Sequence, residues 1–292
     1  MKPLCDTFRS QASVVWHRMK RAAALKQRTG EETLTENVLY EIARRHQTGD
    51  FLVIPATKQE ESIHGADWLF WFVSGKKGIS YRVQAKKLFP SGRYESLFKS
   101  GSSNGIPVDP EEQIKKLIQK ADEDSHIPLY CFYNFSHPDG NFKQIYPGCL
   151  HKYRPPSFWG CSIALAQDVS FAKSNALKDL RKFMLPWHLL ACSSHNRALV
   201  DSSVKTISSL AEPKGEPKVS GDTIQWERPK IEISPTVRPL PAYVNILIDI
   251  ERSRRENPAS RQDDINGQAR EVIEVEDLAG VVVFGDNRNL ES

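Results

Sequence analysis

Apolar positions recur along this chain at two periods, and the change from one to the other marks its elements. SQASVVWHRMKRAAALKQRTG, from Ser10, reads as a helix that stops near Gly30. In TLTENVLYEIARRHQTG, Leu34, Val38, Leu39 and Ile42 form one stripe; Thr33 or Thr35 is placed to cap the start, and Gly49 lies past the end. DFLVIPA follows as a short strand. From Gly65 to Leu88, GADWLFWFVSGKKGISYRVQAKKL reads as a hairpin of two apolar strands around a polar turn. Trp68, Phe70 and Phe72 alternate with Leu69, Trp71 and Val73, the pattern of a strand buried on both faces. In the second strand a period of two puts Ile79, Tyr81, Val83 and Ala85 on one face and Arg82, Gln84 and Lys86 on the other.

Beyond the hairpin, the Gly/Ser-rich stretch SGSSNGIPVDP leads into PEEQIKKLIQKADED. There Pro110 suits a first helical turn and Ile114, Leu117, Ile118 and Ala121 share a face. IPLYCFYNF and GCSIALA are strands by content. SNALKDLRKFM is amphipathic through Ala176, Leu177, Leu180, Phe183 and Met184 and ends before Pro186. The order helix, strand, hairpin, helix, strand predicts an α/β fold with a mixed central sheet flanked by helices.

Composition then suggests boundaries. Residues 1–30 form a basic N-terminal helix, 31–200 the core, 201–240 a Ser/Pro-rich linker or excursion, and 241–292 a C-terminal acidic segment. That last segment recovers order in YVNILIDIERSRR and EVIEVEDLAGVVVFGDN. Net charge is only +4, so the chain as a whole is no polycation. Before Gly30, however, seven Lys and Arg residues face the single acid Asp6. That helix is either a phosphate-binding arm or a solvated face. No run approaches the roughly 20 apolar residues of a membrane span. The start lacks a secretory signal, so a cytoplasmic location without membrane partners is expected. Five widely spaced cysteines with no CxxC pair argue against a zinc ribbon and a disulfide framework.

The hairpin concentrates the chemistry. Asp67 opens the first strand, and Gln84 and Lys86 share a face of the second. A polar trio on a sheet surface is costly if buried unpaired. Two readings are open on spacing alone. In one, Lys86 pairs with Asp67 at a solvated sheet end. In the other, a carboxylate and an amide oxygen offer hard ligands to Mg²⁺, and the ammonium orients water and neutralises phosphate charge.

These residues carry a resemblance. GAD, ending at Asp67, and QAK, comprising Gln84, Ala85 and Lys86, resemble the core of the PD-(D/E)XK nuclease superfamily. The form is the QxK variant of Mrr-like restriction endonucleases, and the likeness covers roughly Thr33 to Ala166. The resemblance implies a restriction-endonuclease-like core with a C-terminal extension. It also implies a Mg²⁺- or Mn²⁺-dependent endonuclease acting on DNA, with RNA as an alternative substrate, in restriction or anti-phage defence. Asp67, Gln84, Glu36 and the Ala85 carbonyl would hold the metal, and Lys86 would position the attacking water. Glu36 is the helix carboxylate at the matching offset, and Glu41 is the second choice. A homodimer or a defence-system partner protein is the implied assembly. Glutamine in place of the second acid removes one anion. It therefore also suits a catalytically silent module on the same fold that binds nucleic acid or a partner.

Other residues carry less. Glu61 and His64 precede Asp67 and read as site neighbours or plain turn residues. His188 and His195 flank Cys192 without a fourth ligand, which falls short of a structural zinc set. Arg82, Lys87 and Arg93 are candidates for a phosphate-lining surface, each on thin grounds.

Overall fold

The computed structural model describes residues 3–27, 29–46, 51–57, 68–98, 101–103, 106–108, 111–136, 155–192, 198–220, 223–233, 235–256 and 280–286. Two helices open the chain, α1 (Leu4–Ala24) and α2 (Glu31–Arg45). The first strands are β1 (Phe51–Thr57), β2 (Trp68–Ser74) and β3 (Lys77–Lys87), followed by the small hairpin β4 (Gly101–Ser103) and β5 (Ile106–Val108). Next come α3 (Glu112–Glu123), β6 (Ile127–Tyr133), β7 (Cys161–Leu165), α4 (Ala166–Ala172), α5 (Leu177–Leu180) and β8 (Leu185–Pro186). The chain continues through α6 (Leu199–Ala211), the hairpin β9 (Lys214–Ser220) and β10 (Thr223–Arg228), β11 (Arg238–Pro239), α7 (Ala242–Glu256) and β12 (Gly280–Asp286).

The mixed sheet runs in the order β1-β12-β2-β3-β6-β7-β8, with β11 paired to the start of β3. β2 and β3 form the expected antiparallel hairpin, and β6 lies parallel to β3 after the α3 crossover. The C-terminal strand β12 enters the sheet between β1 and β2, antiparallel to the first and parallel to the second. The segment beyond 241 thus contributes one strand, β12, to the central sheet.

Both faces of the sheet are covered, as the alternation in β2 requires. Trp68, Phe70 and Phe72 join the larger core with α1, α2 and α6, while Leu69, Trp71 and Val73 pack with Tyr243, Val244, Leu247 and Ile248 of α7. The basic N-terminal helix belongs to that larger core: Leu4, Phe8, Ala12, Val15 and Met19 are buried, and Arg18, Lys20 and Arg21 form a solvated face. α1 meets the turn before β7 so closely that a Cβ on Gly160 would lie 1.9 Å from the Ala12 carbonyl oxygen.

Three elements depart from the pattern reading for local reasons. α2 starts at Glu31 behind Gly30, so neither Thr33 nor Thr35 caps it; Thr35 is buried and bonds the Tyr133 hydroxyl at 2.8 Å. The amphipathic stretch after Ser174 is one short helix, α5, followed by a single 3₁₀ turn at Arg181–Phe183, although Leu177, Leu180, Phe183 and Met184 are all buried as expected. Residues 201–211, expected within a linker, belong to the packed helix α6. The four described cysteines, Cys5, Cys131, Cys161 and Cys192, are buried thiols. No described helix is long and apolar enough to cross a membrane.

Candidate active site

β3 is buried along nearly its whole length, so its polar face is not solvated. Ser80, Arg82, Gln84 and Lys86 follow one another on that face, each less than 7% exposed. Burying such a row demands partners. Arg82 finds one in Asp124, the residue that ends α3, at 3.1 Å. α3 therefore overlies this face near β3 and β6, while α7 overlies it near β2 and β12. Gln84 stands apart. It is 2% exposed, and its Oε1 accepts no hydrogen bond among the described residues. An orphaned buried amide oxygen costs about 1–3 kcal/mol. That cost is removed if a cation or a donor reaches it.

Among the described residues β3 pairs with β2 from Ser74–Lys77 to Trp68–Val83, and with β6 through Gln84–Tyr130 to Lys87–Tyr133. Lys86 is 4% exposed, an ammonium held inside the protein. Asp67, the remaining member of the expected trio, lies outside the described residues, as do Glu61, His64 and His195.

α2 meets this same strand end, and the carboxylate that arrives is Glu31. Its Oε1 accepts the Lys87 backbone N–H and the Ser96 hydroxyl, each at 3.1 Å. The Lys87 ammonium donates to the Thr29 carbonyl. Glu36, five residues on, is exposed on α2, and Glu41 pairs with Arg44 at 2.9 Å. The adjacent Gly30, Glu31 and Glu32 hold the signal for Glu31: acids in a helix's first turn suit its dipole. Around Lys87 a cavity of about 450 Å³ opens, lined also by Lys26, Phe89 and Glu95.

The other candidates scatter. Arg93 is exposed and bonds Asn175, and Arg82 is committed to Asp124. With Lys87 on the opposite face of the strand, the three do not form one phosphate surface. His188 and Cys192 are buried on and beside one 3₁₀ turn. Among the described residues no three His, Cys, Asp or Glu side chains form a metal cluster. Sequence reasoning also missed the Ser80–His126–Arg238 cluster at the other end of β3, because its three members come from distant parts of the chain.

A family model described as a family of unknown function (DUF6615) matches residues 4–289. The chain belongs to this family. The match spans α1 through β12, so the DUF6615 unit takes in both the N-terminal helix and the strand inserted between β1 and β2. No curated protein and no solved structure matches the chain.

Proposed function

We propose that this protein is a metal-dependent endonuclease that hydrolyses phosphodiester bonds of DNA, with its reactive centre at the carboxyl end of β3. The observation that carries the reading is Gln84, whose buried amide oxygen accepts no hydrogen bond among the described residues and lies two positions from a buried ammonium. The QAK spacing, on a hairpin set between α2–β1 and α3–β6, is what the resemblance to the PD-(D/E)XK superfamily requires.

Support for a divalent cation comes from the Gln84 amide oxygen, which accepts no hydrogen bond among the described residues. Gln84 Oε1, the Asp67 and Glu36 carboxylates and the Ala85 carbonyl are hard oxygen donors of the kind Mg²⁺ or Mn²⁺ takes. When bound, such an ion polarises a phosphoryl oxygen and acidifies a water. Lys86 acts on the substrate. Its ammonium, buried where water screens little, orients the attacking water and offsets charge building on the phosphorane. Glu31 is a positioning residue: by holding the Lys87 N–H it fixes the strand end against α2. A setting in restriction or anti-phage defence follows from the resemblance alone.

The test is incubation of the full chain with linear DNA, plasmid DNA and RNA in Mg²⁺ or Mn²⁺, beside Asp67→Ala. The expected result is DNA cleavage that needs the metal and disappears in the variant. Metal-independent nucleic-acid binding without cleavage by either protein would instead favour a silent binding module on the same fold.

A further inference from the structure

The polar row on β3 has a second end. Four residues before Gln84, about 13 Å away at the usual rise of a strand, Ser80 borders a separate cavity of about 460 Å³. Ser80, His126 and Gln167 line it from the sheet side. Glu232, Ile233, Thr236 and Arg238 line it from the segment that joins β10 to α7. That segment is anchored where the Ile231 N–H donates to the Ala211 carbonyl at 3.0 Å and where β11 pairs with β3.

Arg238 organises this end. Its guanidinium donates to the Asp124 carbonyl at 2.9 Å, to Ser80 Oγ at 3.1 Å and to His126 Nδ1 at 3.0 Å. A guanidinium has no acceptor, so Nδ1 is the lone-pair nitrogen of the imidazole and its proton sits on Nε2. Ser80 Oγ lies 2.6 Å from the same Nδ1. All three acceptors of Arg238 are therefore uncharged. The carboxylate nearby, Asp124, is ion-paired to Arg82. Arg238 is the guanidinium on the cavity lining, stacked over the Trp71 ring at 5.0 Å and hydrogen-bonded, among the described residues, to neutral acceptors alone.

Other lining groups ask for the opposite chemistry. Gln167 Oε1 is buried and accepts no hydrogen bond among the described residues. The exposed acids Asp122 and Glu232 add acceptors, and Ile79, Ile127, Pro128 and Ile233 supply apolar surface. The complement is one compact molecule with an anionic end, hydroxyl donors and an apolar or flat body. A volume of this order suits a small metabolite.

We infer that this cavity binds a hydroxyl-bearing phosphomonoester of mononucleotide or sugar-phosphate size. Its phosphate lies at Arg238, and its hydroxyls donate to Gln167, Asp122 and Glu232. The site is independent of the proposed centre at the strand's carboxyl end and needs no metal.

Calorimetric titration of the full chain in chelator tests this, so that no divalent ion contributes. The probes are adenosine 5′-monophosphate, ribose 5-phosphate, adenosine, inorganic phosphate and gluconate. At least one phosphate ester is expected to bind roughly tenfold or more tighter than adenosine, phosphate or gluconate, about 1.4 kcal/mol. Binding of the nucleotide alone would identify a base-reading site, and binding of both esters a sugar-phosphate site. Gln167→Leu leaves the Arg238 network intact and is expected to weaken the ester roughly tenfold, again about 1.4 kcal/mol. Arg238→Lys, which keeps the charge but loses the fork, should also weaken it. Absence of ester binding at millimolar concentration, gluconate binding as tightly as the esters, or undiminished binding by Gln167→Leu would each overturn the inference.

Discussion

Gln84 and Lys86 sit two residues apart on a strand that is covered on both faces, so every polar atom there is either partnered or a liability. Replacing Gln84 by Leu removes an amide oxygen that accepts no hydrogen bond among the described residues. Urea unfolding of Gln84→Leu in chelator should therefore show stability equal to the wild type or higher by about 1–2 kcal/mol, while metal-dependent cleavage is lost. A clear loss of stability would mean that the amide has a structural partner. His126 provides a second residue-scale prediction, through pH. Burial, with Arg238 and Arg82 nearby, holds its imidazole down to about 3 from an ordinary 6.5. The unfolded chain takes up that proton first as pH falls, so stability is full above about 6.5 and is lost progressively towards 3. Urea midpoints measured across this range should fall steeply for the wild type and less steeply for His126→Gln.

Elements are joined by contacts that tolerate little change. α1 and the turn before β7 touch at Gly160, and a Cβ there has no room beside the Ala12 backbone. Gly160→Ala should lower the thermal midpoint by many degrees or prevent folding, whereas Gly92→Ala, where a Cβ meets nothing but the backbone has a positive φ, should cost far less. Arg228 joins three elements at once. It closes the end of α6 by donating to the Leu210 and Ala211 carbonyls at 2.7 and 2.9 Å, and it pairs with the fully buried Asp168 of α4 at 2.7 Å. Truncating Asp168 to Ala strands that guanidinium, at an expected cost of about 3–5 kcal/mol in denaturant unfolding. Legibility at this scale followed side-chain chemistry. β2, β3, β6 and β7 were readable because aromatic and β-branched residues alternate along them. α6 was not, since its buried face carries Ser202, Ser203 and Thr206, which read as linker. In the fold Thr206 returns its hydroxyl to the Ser202 carbonyl and Ser203 meets the Tyr81 hydroxyl, so polar residues serve as core. The Glu31 contact with Lys87 was not legible, since a cap at Thr33 or Thr35 leaves Glu31 outside the helix that Gly30 in fact opens.

At the scale of the whole molecule, the sheet depends on a pairing that no local pattern announces. VVVF near the chain's end reads as a strand, but its place between β1 and β2 is set by contacts more than 200 residues apart, such as Val283 with Ile54 and Trp71. Ending the chain after Glu256 removes that strand, separates β1 from β2 and uncovers the apolar face of α7 that packs on Val281 and Val283. The truncated protein should be insoluble or lack a cooperative thermal transition. The family match from residue 4 to 289 agrees with a unit that needs both ends. Within that frame, the hairpin and its QAK triplet were legible as chemistry, while the buried state of the polar face and the anchoring of α2 by Glu31 required the fold. The central claim is that the carboxyl end of β3 hydrolyses DNA with a divalent metal. Its most direct test is a time course of supercoiled plasmid with chelator-treated protein, with and without added Mg²⁺ or Mn²⁺, comparing the wild type with Lys86→Met. The account predicts metal-dependent nicking or linearisation by the wild type and none by a variant that unfolds at the same urea concentration or higher. Equal cutting by both proteins, or no cutting by the folded wild type in either metal, would contradict it.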